Sequence, residues 1–238
     1  MRQLGSPHLH LSSVGSTNDH ARRLAEAGAP HGTLVSADHQ SSGRGRQGRE
    51  WVAPPGSSVL ISLLLRDPPE LLPLIAAVAV AEACGQAAQI KWPNDILLAS
   101  DGGPAAKVAG ILCEARPQEG WAVLGVGLNA ALDLELLPAE LRQQAATLGL
   151  RSDERWSLID RLVAAIEQNL ALPADQLLVR WQQRDALFGE EISWTSAELS
   201  ESGTANGVTA SGALLVRRKD GSELELNAGE VHLTAAPS

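Results

Sequence analysis

The loop Gly43-Arg44-Gly45-Arg46-Gln47-Gly48 constrains this chain more than any other stretch, because its spacing suggests one fold and its surroundings forbid it. Gly43, Gly45 and Gly48 satisfy the G-x-G-x-x-G pattern of a dinucleotide fold, which requires an apolar strand before the loop and a helix beginning inside it. After Gly48 the chain instead passes through Pro54-Pro55-Gly56, which no helix accommodates, into residues 59–65, an apolar run of strand length. The loop therefore joins two strands. Backbone N–H groups freed by the glycines can still form a nest for an anion, with Arg44 and Arg46 as forked donors to phosphate or carboxylate. Taken alone, such a loop also reads as a solvated basic hairpin.

The 238 residues allow one large domain, or one with a small companion, and 44% hydrophobic residues suffice for a core. A formal net charge of −9 argues against a nucleic-acid partner, whose phosphates require a basic face or tail. The longest apolar tract, residues 71–84, contains Pro73, falls short of a bilayer span and ends at Glu82 and Gly85. It predicts a buried helix and no membrane segment. No apolar secretion core follows Met1, and Cys84 and Cys113 sit in apolar segments where a reduced, packed thiol is expected, so the cytoplasm is the expected compartment.

Ser16 with Asp19 resembles a capping box ahead of a helix over 18–27, closed by Gly28 and Pro30. Short β-branched or leucine-rich runs follow at 33–37, 59–65, 89–92, 96–99, 108–115 and 121–128, interrupted only by the apolar helix near 71–88. Ser157 with Asp160 predicts a second cap, before an amphipathic helix carrying Leu158, Ile159, Leu162, Val163, Ile166 and Leu170; a further helix covers 174–188. These elements predict an α+β fold over 1–188, a mixed sheet backed by helices. From Gly189 the chain becomes short strands at 192–195, 213–218 and 223–226, with Asp220-Gly221 as a hairpin turn. The expectation for 189–238 is a small β-barrel packed on the larger domain.

Three further segments carry unusual residues. Lys91-Trp92-Pro93-Asn94-Asp95 turns from one strand into the next and exposes an amide and a carboxylate where substrates are often met, although Pro-Asn-Asp is also common turn chemistry. Lys107 heads an otherwise apolar strand in which Gly110 permits a ligand to approach the backbone; a lysine there also reads as an edge charge. Leu124-Gly125-Val126-Gly127-Leu128-Asn129 again puts glycines inside a strand, where close approach and a bulge are the two readings. The six histidines show no ligand-like pairing, and only His39, beside Gln40, falls near these segments, so no zinc site is expected.

In this order the segments resemble the catalytic core of biotin protein ligases, enzymes that adenylate biotin and attach it to a carrier lysine. The matching motifs span residues 11–129, and the likeness continues through the tail. The resemblance implies the class II synthetase-like fold of those ligases with an SH3-like C-terminal barrel, in which Gly212-Ala213-Leu214-Leu215 and Gly229-Glu230-Val231 fall in the expected places. It implies that Gly43, Arg44, Gly45, Arg46 and Gly48 form a loop that folds over the acyl-adenylate. Ser16, Thr17, Asn18 and Gln40 would hold the ureido head of biotin, Gly110, Gly125 and Gly127 would floor the same site, and Lys107 would lie beside the biotin carboxylate. Trp51, Asn94 and Asn129 would serve ATP, and Asp95 a Mg²⁺ ion, directly or through water. There is one departure: where some members carry a basic residue reaching toward ATP, this chain has Asn206. The motifs also begin too early to leave room for the helix-turn-helix domain of some members, so repression of transcription is not expected.

The implied chemistry suits these residues. The carboxylate of biotin must attack the α-phosphorus of ATP, and fixed positive charge from Lys107, Arg44 and Arg46, with Mg²⁺, offsets the repulsion between two anions. The anhydride so formed needs shelter from water until the carrier arrives, which suits a loop that orders over it. The acyl group passes to an amine without a side-chain nucleophile, so neither cysteine need be catalytic. The expected partner is a biotin carboxyl carrier protein or domain, with ATP and biotin as substrates, no DNA, no membrane, and a monomer or homodimer as the assembly. Two rivals stay open. One is a lipoate or octanoate ligase or transferase, which shares the general fold, lacks the arginine loop and, as a transferase, needs a nucleophilic cysteine. The other is a non-catalytic regulator that binds biotin or nucleotide.

Overall fold

The apolar run after the arginine loop becomes the strand on which the rest of the larger sheet is organised. A computed structural model of the chain describes residues 4–100, 103–196, 199–227 and 231–233. The first elements are β1 (His8–Leu11), α1 (Thr17–Glu26), β2 (Leu34–Ala37), β3 (Ser58–Arg66), α2 (Leu72–Cys84), β4 (Gln89–Lys91), β5 (Asp95–Ser100), β6 (Gly103–Arg116) and β7 (Trp121–Asn129). Their strands form one sheet in the order β1-β2-β3-β7-β6-β5-β4, parallel between β1 and β2 and antiparallel elsewhere.

Side chains alternate across a pleated strand, so each strand serves two faces. On β3, Val59, Ile61, Leu63 and Leu65 join the core around α2, while Leu64 packs with Ala21, Ala25, Val35, Trp121 and Val123 beneath α1. That two-sided burial explains why the run is apolar throughout. β7 divides likewise: Ala122, Leu124, Val126 and Leu128 enter the α2 core, and Trp121 and Val123 lie under α1. Gly125, Gly127 and Asn129 continue the α1 face past the helix N-terminus, leaving a strip of sheet without side-chain cover from β7 itself at both glycines.

Helix α2 is apolar except at Glu82, which pairs with Arg180 and Asn169 near its C-terminal end, because it is enclosed, with the sheet on one side and later helices on the other. After the short α3 (Ala139–Arg142), α4 (Arg155–Leu170) and α5 (Ala174–Gln182) pack against α2 through Leu158, Leu162, Ile166, Leu177 and Trp181. Two sequence expectations are corrected here. Ser16 precedes α1 with extended dihedrals but makes no side-chain cap, and Asp19 does not complete a capping box because it is drawn to Arg22 and Arg44. Ser157 lies inside α4, where its hydroxyl donates to the Glu154 carbonyl at 2.8 Å, so the helix starts at Arg155.

The remaining strands, β8 (Glu191–Ser196), β9 (Leu199–Val208), β10 (Leu214–Arg217), β11 (Glu223–Leu226) and β12 (Val231–Leu233), form a separate antiparallel sheet ordered β11-β10-β9-β8-β12. An SH3-like arrangement is compatible with this order, although no ladder closes it into a barrel among the described residues. Gly229 and Glu230 lie outside the described residues, and Val231 opens β12. Asn206 sits on β9 where the register against β10 shifts between Leu214 and Val216.

Candidate active site

The N-terminus of α1 meets the sheet at its glycine strip, and Gln40 supplies the cap that Ser16 does not. Gln40 Oε1 accepts from the Thr17 backbone N–H at 2.7 Å and from the Thr17 hydroxyl at 3.0 Å, relieving a helix-end donor. Ser62, the one hydroxyl in the run 59–65, rises from β3 to meet the same turn. Its Oγ lies 2.8 Å from Thr17 Oγ1 and 2.6 Å from Asn18 Oδ1. Asn18 Nδ2 donates to Glu114 Oε2 at 2.8 Å and to the Leu112 carbonyl at 3.3 Å. Ser16, Thr17, Asn18 and Ser62 are all buried, so these bonds form a polar network in a dry setting, where each is stronger than in water.

The strip is floored by glycine for steric reasons. A β-carbon on Gly125 would lie 2.1 Å from Asn18 Oδ1, and one on Gly127 or Gly110 would press on the Trp51 ring at 2.6 and 3.0 Å. Close approach, rather than a bulge, is therefore the reason for these glycines: Gly110 and Gly127 are direct register partners in an unbroken ladder. Lys107 Nζ stands 5.6 Å from the centre of the Trp51 ring and 2.7 Å from Asp95 Oδ1. That contact is an ion pair of poor alignment, since the buried Oδ1 accepts no directed hydrogen bond among the described residues. Trp51 Nε1 is likewise buried with no acceptor there.

The arginine loop is a tight hairpin closed on itself. Trp51 N–H donates to the Gly43 carbonyl at 2.9 Å and Gly45 N–H to the Arg49 carbonyl at 2.7 Å, with one 3₁₀ turn, Arg46–Gly48, at the tip. Gly43 is required because a β-carbon would lie 2.4 Å from the Trp51 carbonyl oxygen. Arg44 turns back onto the sheet, donating to Asp19 Oδ1 at 2.5 Å and to Glu114 Oε1 at 2.8 Å. Although partial burial pulls it down, these carboxylates hold the Arg44 guanidinium above its ordinary pKa. Arg46 turns into the cleft, half-buried, with Nη1 3.4 Å from Asn94 Oδ1.

Beyond the loop opens a cleft of about 770 Å³, bounded by Arg46, Leu74, Asn94, Leu112, Gly212 and Asn227 among others, so both sheets and α2 contribute to it. Trp92 Nε1 donates to the Gly212 carbonyl at 3.1 Å and pins the C-terminal sheet to this wall. Asn206 does not border the cleft; the C-terminal side is formed by Ser211, Gly212, Ala213 and Asn227. Cys113 borders it, with a thiol pushed up to about 12 by burial against the weaker opposing pull of Arg46.

The structure thus gathers Thr17, Asn18, Gln40, Arg44 and Gly125 into one cluster and Trp51, Asp95, Lys107, Gly110 and Gly127 into a second. Gly43, Gly45, Arg46, Gly48 and Asn94 stand along the cleft. Asn94 is partly committed, donating through Nδ2 to the Ile111 carbonyl at 3.1 Å. Asn129 lies apart from the cleft, its Nδ2 on the Ala146 carbonyl at 3.0 Å. Ser62, Glu114 and Asp19 were not singled out in the sequence as site residues. The first two carried a signal nonetheless, a hydroxyl and a charge each set inside an apolar strand.

Residues 11–129 match the biotin/lipoate A/B protein ligase family, and residues 188–233 match the biotin protein ligase C-terminal domain. The chain is 32% identical to a biotin–[acetyl-CoA-carboxylase] ligase of Paracoccus denitrificans, over 90% of this chain and 95% of that protein. It is 31% identical to the bifunctional ligase/repressor BirA of Bacillus spizizenii, over 92% of this chain and 71% of the relative. Among solved structures it is similar to a biotin protein ligase from Aquifex aeolicus in complex with biotin and ATP, with a TM-score of 0.79 and 27% identity, covering 97% of this chain and all of that one. With its arginine loop, glycine floor and two-sheet architecture, the chain belongs to the biotin/lipoate A/B protein ligase family.

Proposed function

We propose that this protein is an ATP-dependent biotin ligase. A carboxylate oxygen of biotin attacks the α-phosphorus of ATP, the bond to pyrophosphate breaks, and biotinyl-5′-AMP forms. The ε-amine of a lysine on a biotin carboxyl carrier domain then takes the acyl group, releasing AMP and a proton. The observation that carries this reading is the network of buried Thr17, Ser62 and Asn18 with half-buried Gln40, set against Gly125, a polar pocket over a glycine floor beside an arginine loop. The Paracoccus and Aquifex relatives, by their names, support biotin as the acid.

In this reading Thr17, Asn18 and Gln40 take the ureido ring, with Ser16 shaping the helix entry. Gly110, Gly125 and Gly127 admit the bicycle and its chain, and Lys107 neutralises the carboxylate next to the attacked phosphorus. Arg46, with the backbone of Gly43, Gly45 and Gly48, closes over the adenylate, while Arg44 latches the loop to the sheet. Trp51, Asn94 and Asn129 are assigned to ATP; the buried Trp51 Nε1 is a donor that a substrate acceptor would satisfy.

Asp95 suits Mg²⁺, because its buried Oδ1 lacks an aligned hydrogen bond. No cluster of three or more ligating side chains exists among the described residues, so phosphate oxygens and water would complete the shell. Bound there, the ion would offset charge developing on the phosphates. Cys113, held protonated by burial, is unsuited to serve as a transferase nucleophile. The division into a catalytic unit, 1–188, and a C-terminal unit, 189–238, belongs to this proposal, as does a cytoplasmic setting, which is supported by the unpaired Cys84 and Cys113. No helix among the described residues is long and apolar enough to cross a membrane.

Transfer is tested by incubating the protein with MgATP, biotin and a carrier domain, then measuring the intact mass of the carrier. A biotin adduct on the native carrier, absent when its acceptor lysine is replaced by arginine, is expected. An unmodified native carrier would contradict the reading.

A further inference from the structure

We infer that Glu114 is a positioning residue that sets how Asn18 reads the acid substrate and couples that reading to closure of the arginine loop; this rests on the ligase proposal above. The two carboxylate oxygens of Glu114 are divided between two parts of the site. Oε2 accepts from Asn18 Nδ2 at 2.8 Å, and Oε1 accepts from Arg44 Nη2 at 2.8 Å. Asp19, next to Asn18 on α1, ties Arg44 to the same helix turn directly, so Glu114 is one of two carboxylates on that guanidinium.

The consequence for Asn18 follows from donor and acceptor counting. An amide nitrogen carries two hydrogens, and here both go to groups that only accept, the Glu114 carboxylate and the Leu112 carbonyl. The amide is thereby fixed with Oδ1 turned over Gly125, so the site presents an acceptor to whatever occupies the floor. Ser62 Oγ already lies 2.6 Å from that oxygen, so one acceptor position is taken by the protein and the second is best met by a ligand N–H. The ureido ring of biotin offers N–H groups, whereas the hydrocarbon chain of octanoate and the dithiolane of lipoate offer none. Glu114 thus favours a cyclic urea without touching it, because it holds the acceptor side of Asn18, rather than its NH₂, toward the glycine floor.

The consequence for the loop is electrostatic. Arg44 is bound by Glu114 and Asp19 together, so its charge is already matched by protein carboxylates and serves to hold the hairpin down. A carboxylate shared between the head-group amide and that guanidinium makes an ordered Asn18 and a closed loop mutually supportive.

The test is Glu114→Gln, which keeps the side-chain volume, loses the charge and offers Asn18 an amide that can face it either way. Glu114→Ala serves as the more disruptive companion. With ATP saturating, the biotin KM of Glu114→Gln is expected to rise at least tenfold, the KM for ATP to stay within twofold, and release of free biotinyl-AMP to quicken at least threefold. In an Asn18→Ala background the effect on biotin KM should disappear. In an Arg44→Ala background the effect on adenylate release should disappear, a pattern that a merely structural role would not produce. A parent-like biotin KM for Glu114→Gln, or additive effects in both backgrounds, overturns the inference while leaving the ligase reading intact. Failure of the parent protein itself to adenylate biotin overturns both.

Discussion

Trp51 lies so close across Gly127 that a β-carbon on that glycine would sit 2.6 Å from the indole Cε2. The same ring covers Gly110, and Lys107 approaches its face, so one tryptophan, two glycines and a lysine share one surface.

Gly127→Ala therefore forces the ring or the strand to move. Overpacking of this kind costs about 1–3 kcal/mol, which for a chain of this size is roughly 2–12 °C in Tm. Adenylation should fall at least tenfold in kcat/KM, a larger effect than the stability loss alone would give. Thermal denaturation and adenylate formation measured on the same preparation check both halves.

Lys107→Ala should leave the fold intact and remove adenylation. The Lys107–Asp95 pair is partly exposed, so its loss costs little stability. A fixed cation acting on charge in a transition state is worth on the order of 10²–10³ in rate. Single-turnover formation of biotinyl-AMP, set beside an unchanged melting curve, is the check. Adenylate formation at the parent rate would remove Lys107 from the chemistry.

Arg46→Gly should permit some synthesis and leak the product. Arg46 stands on the cleft side of the hairpin beside Asn94, whereas Arg44 is bound to α1 and to β6, so removing the Arg46 side chain opens the cover and leaves the latch. Release of free biotinyl-AMP, followed by stopped flow, should quicken at least tenfold. A parent-like release rate would deny Arg46 the retention role.

Asp185 gives a pH dependence independent of the chemistry. Burial raises its carboxyl from 3.8 to about 6, against the smaller opposing pull of the Leu187 and Phe188 backbone N–H groups, and Oδ2 has no partner among the described residues. Between these values the folded chain holds a proton that the unfolded chain has released. Stability must therefore fall as pH rises from about 4 through about 6, by up to ~3 kcal/mol. Asp185→Asn should flatten that slope, gaining stability over the parent at pH 7 and none at pH 3.5. Urea denaturation at both pH values measures it; equal gains at both would contradict the assignment.

What could be read from the sequence follows from where the side chains decide the structure. The helix at α2 was legible because Leu72–Cys84 is apolar but for Glu82, and the sheet strands because their burial leaves continuous apolar runs. β9 was not, since Gly203, Asn206 and Gly207 carry no strand pattern; there the partners impose the strand, and a β-carbon on Gly203 would lie 2.7 Å from the Arg217 carbonyl oxygen. β1 was missed because His8–Leu11 is an exposed edge paired only with β2. In the site, the glycines and arginines spoke for themselves. The competition for Asp19 between a cap and Arg44 is settled only once the loop folds back.

Pyrophosphate exchange into ATP by the purified protein with Mg²⁺, offering biotin, lipoate or octanoate as the sole acid, tests the central claim most directly. Exchange dependent on biotin, with lipoate and octanoate at background, is the predicted result. Exchange driven by lipoate or octanoate, or none with any acid, would contradict it.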